Sequence, residues 1–117
     1  MTYEKLGRHE EALRLRRDVY FRRMKLDGEE YISSLRAANN YANSLRKLQR
    51  FKKAKALLHR TIPVARRVLG EGHRLTLKLR WSYANALIAD LREALGAIGS
   101  KLFTFFGGRS APGRRPE

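Results

Sequence analysis

Apolar residues recur at three-four spacing through most of this chain, and short polar breaks cut the pattern into helix-length blocks. Leu6-Gly7-Arg8 predicts the end of one short helix, and Glu10-Glu11-Ala12-Leu13 the start of the next, which runs to about residue 26. Its apolar face is Ala12, Leu15, Val19 and Met24, widened by Leu13, Tyr20 and Phe21. Glu10 and Glu11 suit the positive end of that helix dipole. Asp27-Gly28-Glu29-Glu30 supplies the break, with Gly28 as a left-handed terminating residue. A helix from Tyr31 to Leu48 follows, with Leu35, Ala38, Tyr41, Ala42 and Leu45 inward. Phe51 to Leu69 forms the next, burying Ala54, Leu57, Leu58, Ile62, Ala65 and Val68. Pro63 lies inside it, removes the bond to the His59 carbonyl and predicts a kink. Gly70-Glu71-Gly72 ends that block, and Arg74 to Ala89 forms a last regular helix carrying Leu75, Leu79, Tyr83, Ala84 and Leu87.

The blocks are related by a shift of 42 residues. Leu6, Arg8, Ala12 and Leu15 fall on Leu48, Arg50, Ala54 and Leu57; Gly28-Glu29 falls on Gly70-Glu71; Tyr41-Ala42-Asn43 falls on Tyr83-Ala84-Asn85. A fixed period in this range marks a stacked-repeat architecture, in which each unit buries its apolar face against its neighbours. Past Ala89 the period fails, because Glu93-Ala94 matches Glu11-Ala12 at a shift of 82 rather than 84. Gly96 and Gly99 are poor helix formers, Leu102 to Phe106 is an apolar cluster, and Gly107 to Glu117 reads as a disordered Gly/Pro/Arg tail. The expected organisation is a partial repeat at 1–30, a full repeat at 31–72 and a partial repeat at 73–95. A degraded helix and the tail occupy 96–117. With both terminal units incomplete, the expectation is either a piece of a longer array or an imperfect gene model.

Charge changes the picture in one respect. The net charge is +15, and residues 31–70 hold ten basic side chains and no acid. A field of that strength attracts polyanions, whether acidic peptide, nucleic acid or anionic membrane, while the bland reading is a solvated helical surface. The absence of cysteine excludes disulfides and thiolate metal sites. No stretch is long and apolar enough to span a bilayer and the N-terminus lacks a secretory pattern, so a cytoplasmic location is expected. His9, His59 and His73 lack ligand-spaced partners, so neither metal nor cofactor is expected; His73 reads as a helix-start residue. With no phosphate-binding glycine loop, carboxylate pair or nucleophile–base set, catalysis is not expected either.

Three segments carry a resemblance: Asn39-Asn40-Tyr41-Ala42, Leu48-Gln49-Arg50-Phe51 with Ala54, and Val68-Leu69-Gly70-Glu71-Gly72-His73. Together with the period they resemble tetratricopeptide repeats of the long, 42-residue type found in kinesin light chains, over residues 1–95. Gln49 stands where the family's turn glycine would be, and Arg74 where a proline would follow His73. The resemblance implies an all-α fold of antiparallel helix-turn-helix repeats, stacked as a right-handed α-solenoid of about five helices. It also implies a protein–protein interaction scaffold, in which the leading helices line a concave groove and a recurrent Asn holds an extended peptide.

The matching positions are Asn43 and Asn85, with Asn40 one turn earlier. Asn is unfavourable inside helices, so Asn39, Asn40 and Asn43 together ask for a reason, either ligand contact or bridging between helices. Arg36, Arg46, Lys47, Lys78 and Arg80 share those helices and predict an acidic or C-terminal-carboxylate peptide as ligand. Arg50, Lys52, Lys53 and Lys55 fall on a trailing helix and read as a solvated face. Trp81 is either a ligand anchor or a repeat-packing residue. Alternatives to the scaffold are non-specific nucleic-acid binding through residues 31–70, and an array fragment without independent function. Self-association through exposed repeat ends, at Leu102 to Phe106, is a further expectation.

Overall fold

A computed structural model describes residues 2–105; the expected tail from Gly107 lies outside the described residues. It is all-helical, with α1 Tyr3–Asp27, α2 Ile32–Lys47, α3 Phe51–Leu69 and α4 Arg74–Phe105. Consecutive helices pack against each other, and α2 also packs on α4, one unit further along.

The helix ends follow from local chemistry. Thr2 caps α1, its hydroxyl accepting from the Lys5 amide at 3.2 Å. Gly28 and Gly70 end α1 and α3 at φ +86° and +93° with extended ψ, a region that only glycine enters without strain. Their amides close onto the carbonyls of Met24 and Arg66 at 3.1 and 3.0 Å. After α2 the chain reverses without glycine. Gln49 sits at φ +61°, its amide bonded to the Arg46 carbonyl at 2.9 Å, and the Arg50 amide bonds the Leu45 carbonyl at 2.9 Å. This pair of bonds is a Schellman motif, which requires its turn residue in the left-handed region. His73 opens α4, its Nδ1 accepting from the Leu75 amide at 3.0 Å, as the sequence led one to expect.

Two expected breaks are absent, so four helices rather than five make up the described residues. Gly7 does not end a helix: α1 is continuous through it, and the roughly 1 kcal/mol that a helical glycine costs is offset by the Thr2 cap and its helix-forming neighbours. Nor does a turn follow Ala89. Asp90-Leu91-Arg92 has no glycine, so reversing there would strain Leu91 at the position Gln49 takes after α2, and α4 reads straight through Gly96 and Gly99 to Phe105. Pro63 lies within α3, which stays helical on both sides of it.

The core lies where α2 meets α1, α3 and α4. It is built from Leu35, Ala38, Ala42 and Leu45 on α2, Ala54, Leu58, Val64 and Ala65 on α3, and Leu75, Leu79 and Ala86 on α4. Alanines on α2 and α3 let the backbones approach closely. For α1 the inward face differs from expectation. Leu13 and Tyr20 are buried, whereas Leu15, Val19 and Phe21 are 60%, 47% and 56% exposed. The physical reason is that α2 is the helix whose backbone lies close against α1, with α3 reaching it only through side chains such as Arg60 at Tyr20, so only one edge of its wide apolar face is covered.

Candidate functional site

Asn39 and Asn43 follow one another by a helical turn on α2, and Ser82 of α4 meets both. Its hydroxyl donates to Asn39 Oδ1 at 2.9 Å and lies 3.3 Å from Asn43 Oδ1. Asn39 is buried, so its amide serves the joint between the two helices. Bridging, the plainer of the two readings offered by the sequence, is what this residue does. The Asn43 oxygen also accepts from Arg46 Nη2 at 3.4 Å, which leaves its amide N–H pair as the group available to a ligand.

Arg36, Asn40, Asn43 and Lys47 are spaced four, three and four apart, so they line one stripe of α2. The stripe lies away from the buried face: Arg36 and Lys47 are exposed, Asn40 and Asn43 half-buried. The same register on α4 carries Lys78, Ser82 and Asn85, with Lys78 exposed and Asn85 half-buried. Each helix thus presents a cation and, seven residues on, an asparagine, about 10 Å apart along the axis. Because α2 and α4 pack side by side, the two stripes are neighbours. Arg46 leaves the stripe and folds back on Asn43. Asn40 also borders a shallow groove lined by Ala12, Leu15, Arg16, Val19 and Ala37.

The cations of α3 and its approach are engaged elsewhere. Arg50 pairs with Glu10 at 3.0 Å, Lys55 with Asp90 at 2.6 Å, Arg66 with Glu71 at 3.2 Å and Arg67 with Glu30 at 2.8 Å. Arg60 donates to the buried Tyr20 hydroxyl at 3.2 Å. The expected solvated run is therefore half structural: Arg50 and Lys55 tie helices together, while Lys52 and Lys53 are exposed. Arg80, grouped with the α4 cations, lies 3.8 Å from Glu71. Among the described residues, Arg36, Arg46, Lys47 and Lys78 form no ion pair. Sequence reading missed this division, although the period held the signal. Four of the five contacts join residues 35 to 40 apart, a little under one repeat, because neighbouring units bring such positions together.

Among the described residues no three His, Cys, Asp or Glu side chains gather as a metal site. No helix there is long and apolar enough to cross a membrane.

The two-helix unit, its glycine-ended trailing helices and the side-by-side leading helices coincide with a family-model match. The tetratricopeptide repeat model matches residues 33–97, more than half of the chain. The chain belongs to the tetratricopeptide repeat family. The matched span takes in α2 from its second residue, α3 and the first three-quarters of α4, which contain all seven residues singled out from the sequence. Tetratricopeptide repeats mediate protein–protein interaction, and the α2–α4 stripe lies within the repeat proper. Neither curated proteins nor solved structures gave a match.

Proposed function

We propose that this tetratricopeptide chain, of the 42-residue kinesin light chain-like type, is a scaffold that holds an extended acidic peptide along its leading helices. The observation that carries the reading is the division of its cations. Three of the six cations of α3 (Lys55, Arg66 and Arg67), and Arg50 just before it, are taken up by carboxylates of the same chain, whereas Arg36, Lys47 and Lys78 on the α2–α4 stripe have none. A charge with no internal partner is free to bond a ligand carboxylate, and such bonds are roughly twice as strong as neutral ones. Asn43 and Asn85 supply amide N–H groups to the peptide main chain, Asn40 extends the row, and Arg46 orients Asn43. No cofactor takes part, and the work is binding rather than catalysis.

The test is titration of acidic peptides, selected from a display library, by fluorescence anisotropy at physiological salt. Asn43→Ala and Arg36→Glu are expected to weaken binding at least tenfold each, and Lys52→Glu with Lys53→Glu by less than threefold. Equal losses from stripe and α3 variants would sink the groove reading in favour of net charge. Tight, salt-sensitive capture of nucleic acid by the parent, with no peptide selected, would do the same.

A further inference from the structure

α4 is apolar on two opposite sides, and the fold covers one. Leu75, Leu79, Ser82 and Ala86 face the core. On the other side Leu77, Trp81, Ala84, Ile88, Leu91, Leu95, Ile98 and Leu102 follow one another at intervals of four, three, four, three, four, three and four. At about 100° per residue this row lies roughly opposite the core face. Leu77 is 50% exposed, Trp81 70% and Leu95 67%, and Ile88, Leu91, Ile98 and Leu102 are about half exposed. A second apolar stripe on a helix whose first stripe already faces the core calls for a second surface to cover it. An unbroken alternation of four and three is the heptad pattern, whose mean of 3.5 residues matches another helix rather than a flat surface.

We propose that this seam is a homodimer interface, in which α4 pairs antiparallel with α4 of a second copy. The seam is self-complementary in that orientation. Residues whose numbers sum to 179 come face to face: Leu77 with Leu102, Trp81 with Ile98, Ala84 with Leu95 and Ile88 with Leu91, each on opposite copies. Every such layer joins an a position to a d position, as antiparallel packing requires, and the small Ala84 meets the large Leu95. A two-fold axis between Ile88 and Leu91 makes the contact isologous and closed.

Charge selects both the partner and the orientation. Residues 1–90 hold 21 basic and nine acidic side chains, a net +12, whereas residues 91–105 hold only Arg92, Glu93 and Lys101, a net +1. The distal half of α4 is thus the stretch that can approach a like copy without repulsion. Antiparallel pairing lays each nearly neutral arm on the other's α4 and sets the two basic bodies at opposite ends. Parallel pairing would place Trp81 on Trp81 and body beside body. One flanking pair, Arg80 against Lys101, is adverse, and Glu71 beside Arg80 moderates it. The distal arm itself needs cover, since Gly96 and Gly99 disfavour a helix that stands alone in water.

The chain has no cysteine and a single tryptophan, so both orientation and burial can be read directly. Sedimentation equilibrium across a concentration series is expected to give twice 13.6 kDa. Leu95→Glu with Ile98→Glu is expected to halve that mass and shift Trp81 emission to the red. A mixture of Ala84→Cys and Leu95→Cys chains is expected to cross-link under mild oxidation, while neither does so alone. These single changes leave the fold's own core intact, so the cross-link stands even where the double Glu variant misfolds. A monomer at all concentrations overturns the proposal. So does homotypic cross-linking of Ala84→Cys, which means parallel pairing. An open-ended series abolished by Leu15→Glu overturns it as well, because that means head-to-tail insertion at the α1–α2 groove. Cosedimentation with anionic vesicles by a chain that stays monomeric does the same.

Discussion

Replacing Gln49 by glycine should stabilise the protein, and the magnitude follows from one dihedral. Gln49 holds φ at +61° so that the Arg50 amide can reach the Leu45 carbonyl and its own amide the Arg46 carbonyl. The left-handed conformation costs an L-residue about 1–2 kcal/mol, because Cβ crowds the following carbonyl. Glycine avoids that cost, but gives back about 0.4–1 kcal/mol through the larger freedom of the unfolded chain. Gln49 is exposed and donates or accepts no side-chain bond, so little else is lost. The net expectation is a gain of about 0.5–1 kcal/mol, or about 3–5 °C in Tm for a domain of this size. Urea unfolding followed by circular dichroism measures it, with an unchanged m-value as the sign that only the native turn has been relieved. Gln49→Ala is the control: it removes the amide, keeps Cβ and should match the parent. A glycine variant no more stable than the parent would refute the strain argument, and a destabilised alanine variant would show that the side chain works in a way the geometry does not reveal.

Gly70→Ala is the converse. At φ +93° and extended ψ the added Cβ meets open space yet strained backbone, so a loss of about 1–3 kcal/mol is expected in the same unfolding assay. Ser82→Ala takes the hydroxyl from two asparagine oxygens and strands the buried Asn39, which should cost about 1–3 kcal/mol. The double variant with Asn39→Ala should lose less than the sum of the single losses, a coupling that a double-mutant cycle reads. Ser34 is 1% exposed and its hydroxyl has no hydrogen-bond partner, so Ser34→Ala should be neutral or stabilising by up to about 1 kcal/mol; a clear loss in thermal melting would contradict that assignment.

How much of this was legible in the sequence depended on whether the controlling interaction was local. The bounds of α3 and the starts of α2 and α4 follow from apolar spacing and from Gly28, Gly70 and His73, all acting within a few residues. The inward faces of α2 and most of α3 were legible because helices flank them on both sides, although Val68, expected inward, is 41% exposed near the end of α3. The face of α1 was not, since periodicity gives the width of an apolar stripe and only tertiary packing decides which edge is covered. Gly7 misled for a related reason: a glycine permits a turn, but nothing within reach makes the turn more favourable than continuing the helix. In the candidate site the stripe Arg36–Asn40–Asn43–Lys47 could be drawn from spacing alone. That Arg50, Lys55 and Arg67 were committed to Glu10, Asp90 and Glu30 could not, because each partner lies 35 to 40 residues away.

The divergence of α2 and α4 shows how one repeat position can set the architecture. Forty-two residues after Leu48-Gln49-Arg50 stand Asp90-Leu91-Arg92. The first triplet reverses the chain, and the second continues a helix of 32 residues. Glutamine tolerates the left-handed turn at a cost that the packing of α3 on α2 offsets, since α3 brings Ala54, Leu57, Leu58 and Ala65 into the core. Leucine at the same place would bear a similar cost, yet the segment that follows holds Gly96 and Gly99 and offers a weaker return for folding back. The balance then favours reading straight on. What remains is a straight arm whose apolar row, Leu91, Leu95, Ile98 and Leu102, is continuous with Leu77, Trp81, Ala84 and Ile88 on the same helix. The apolar surface that a hairpin would have covered within one chain is left to be covered between two. On the function and pairing proposed above, the lost turn joins a peptide-holding repeat to a means of pairing it with its copy.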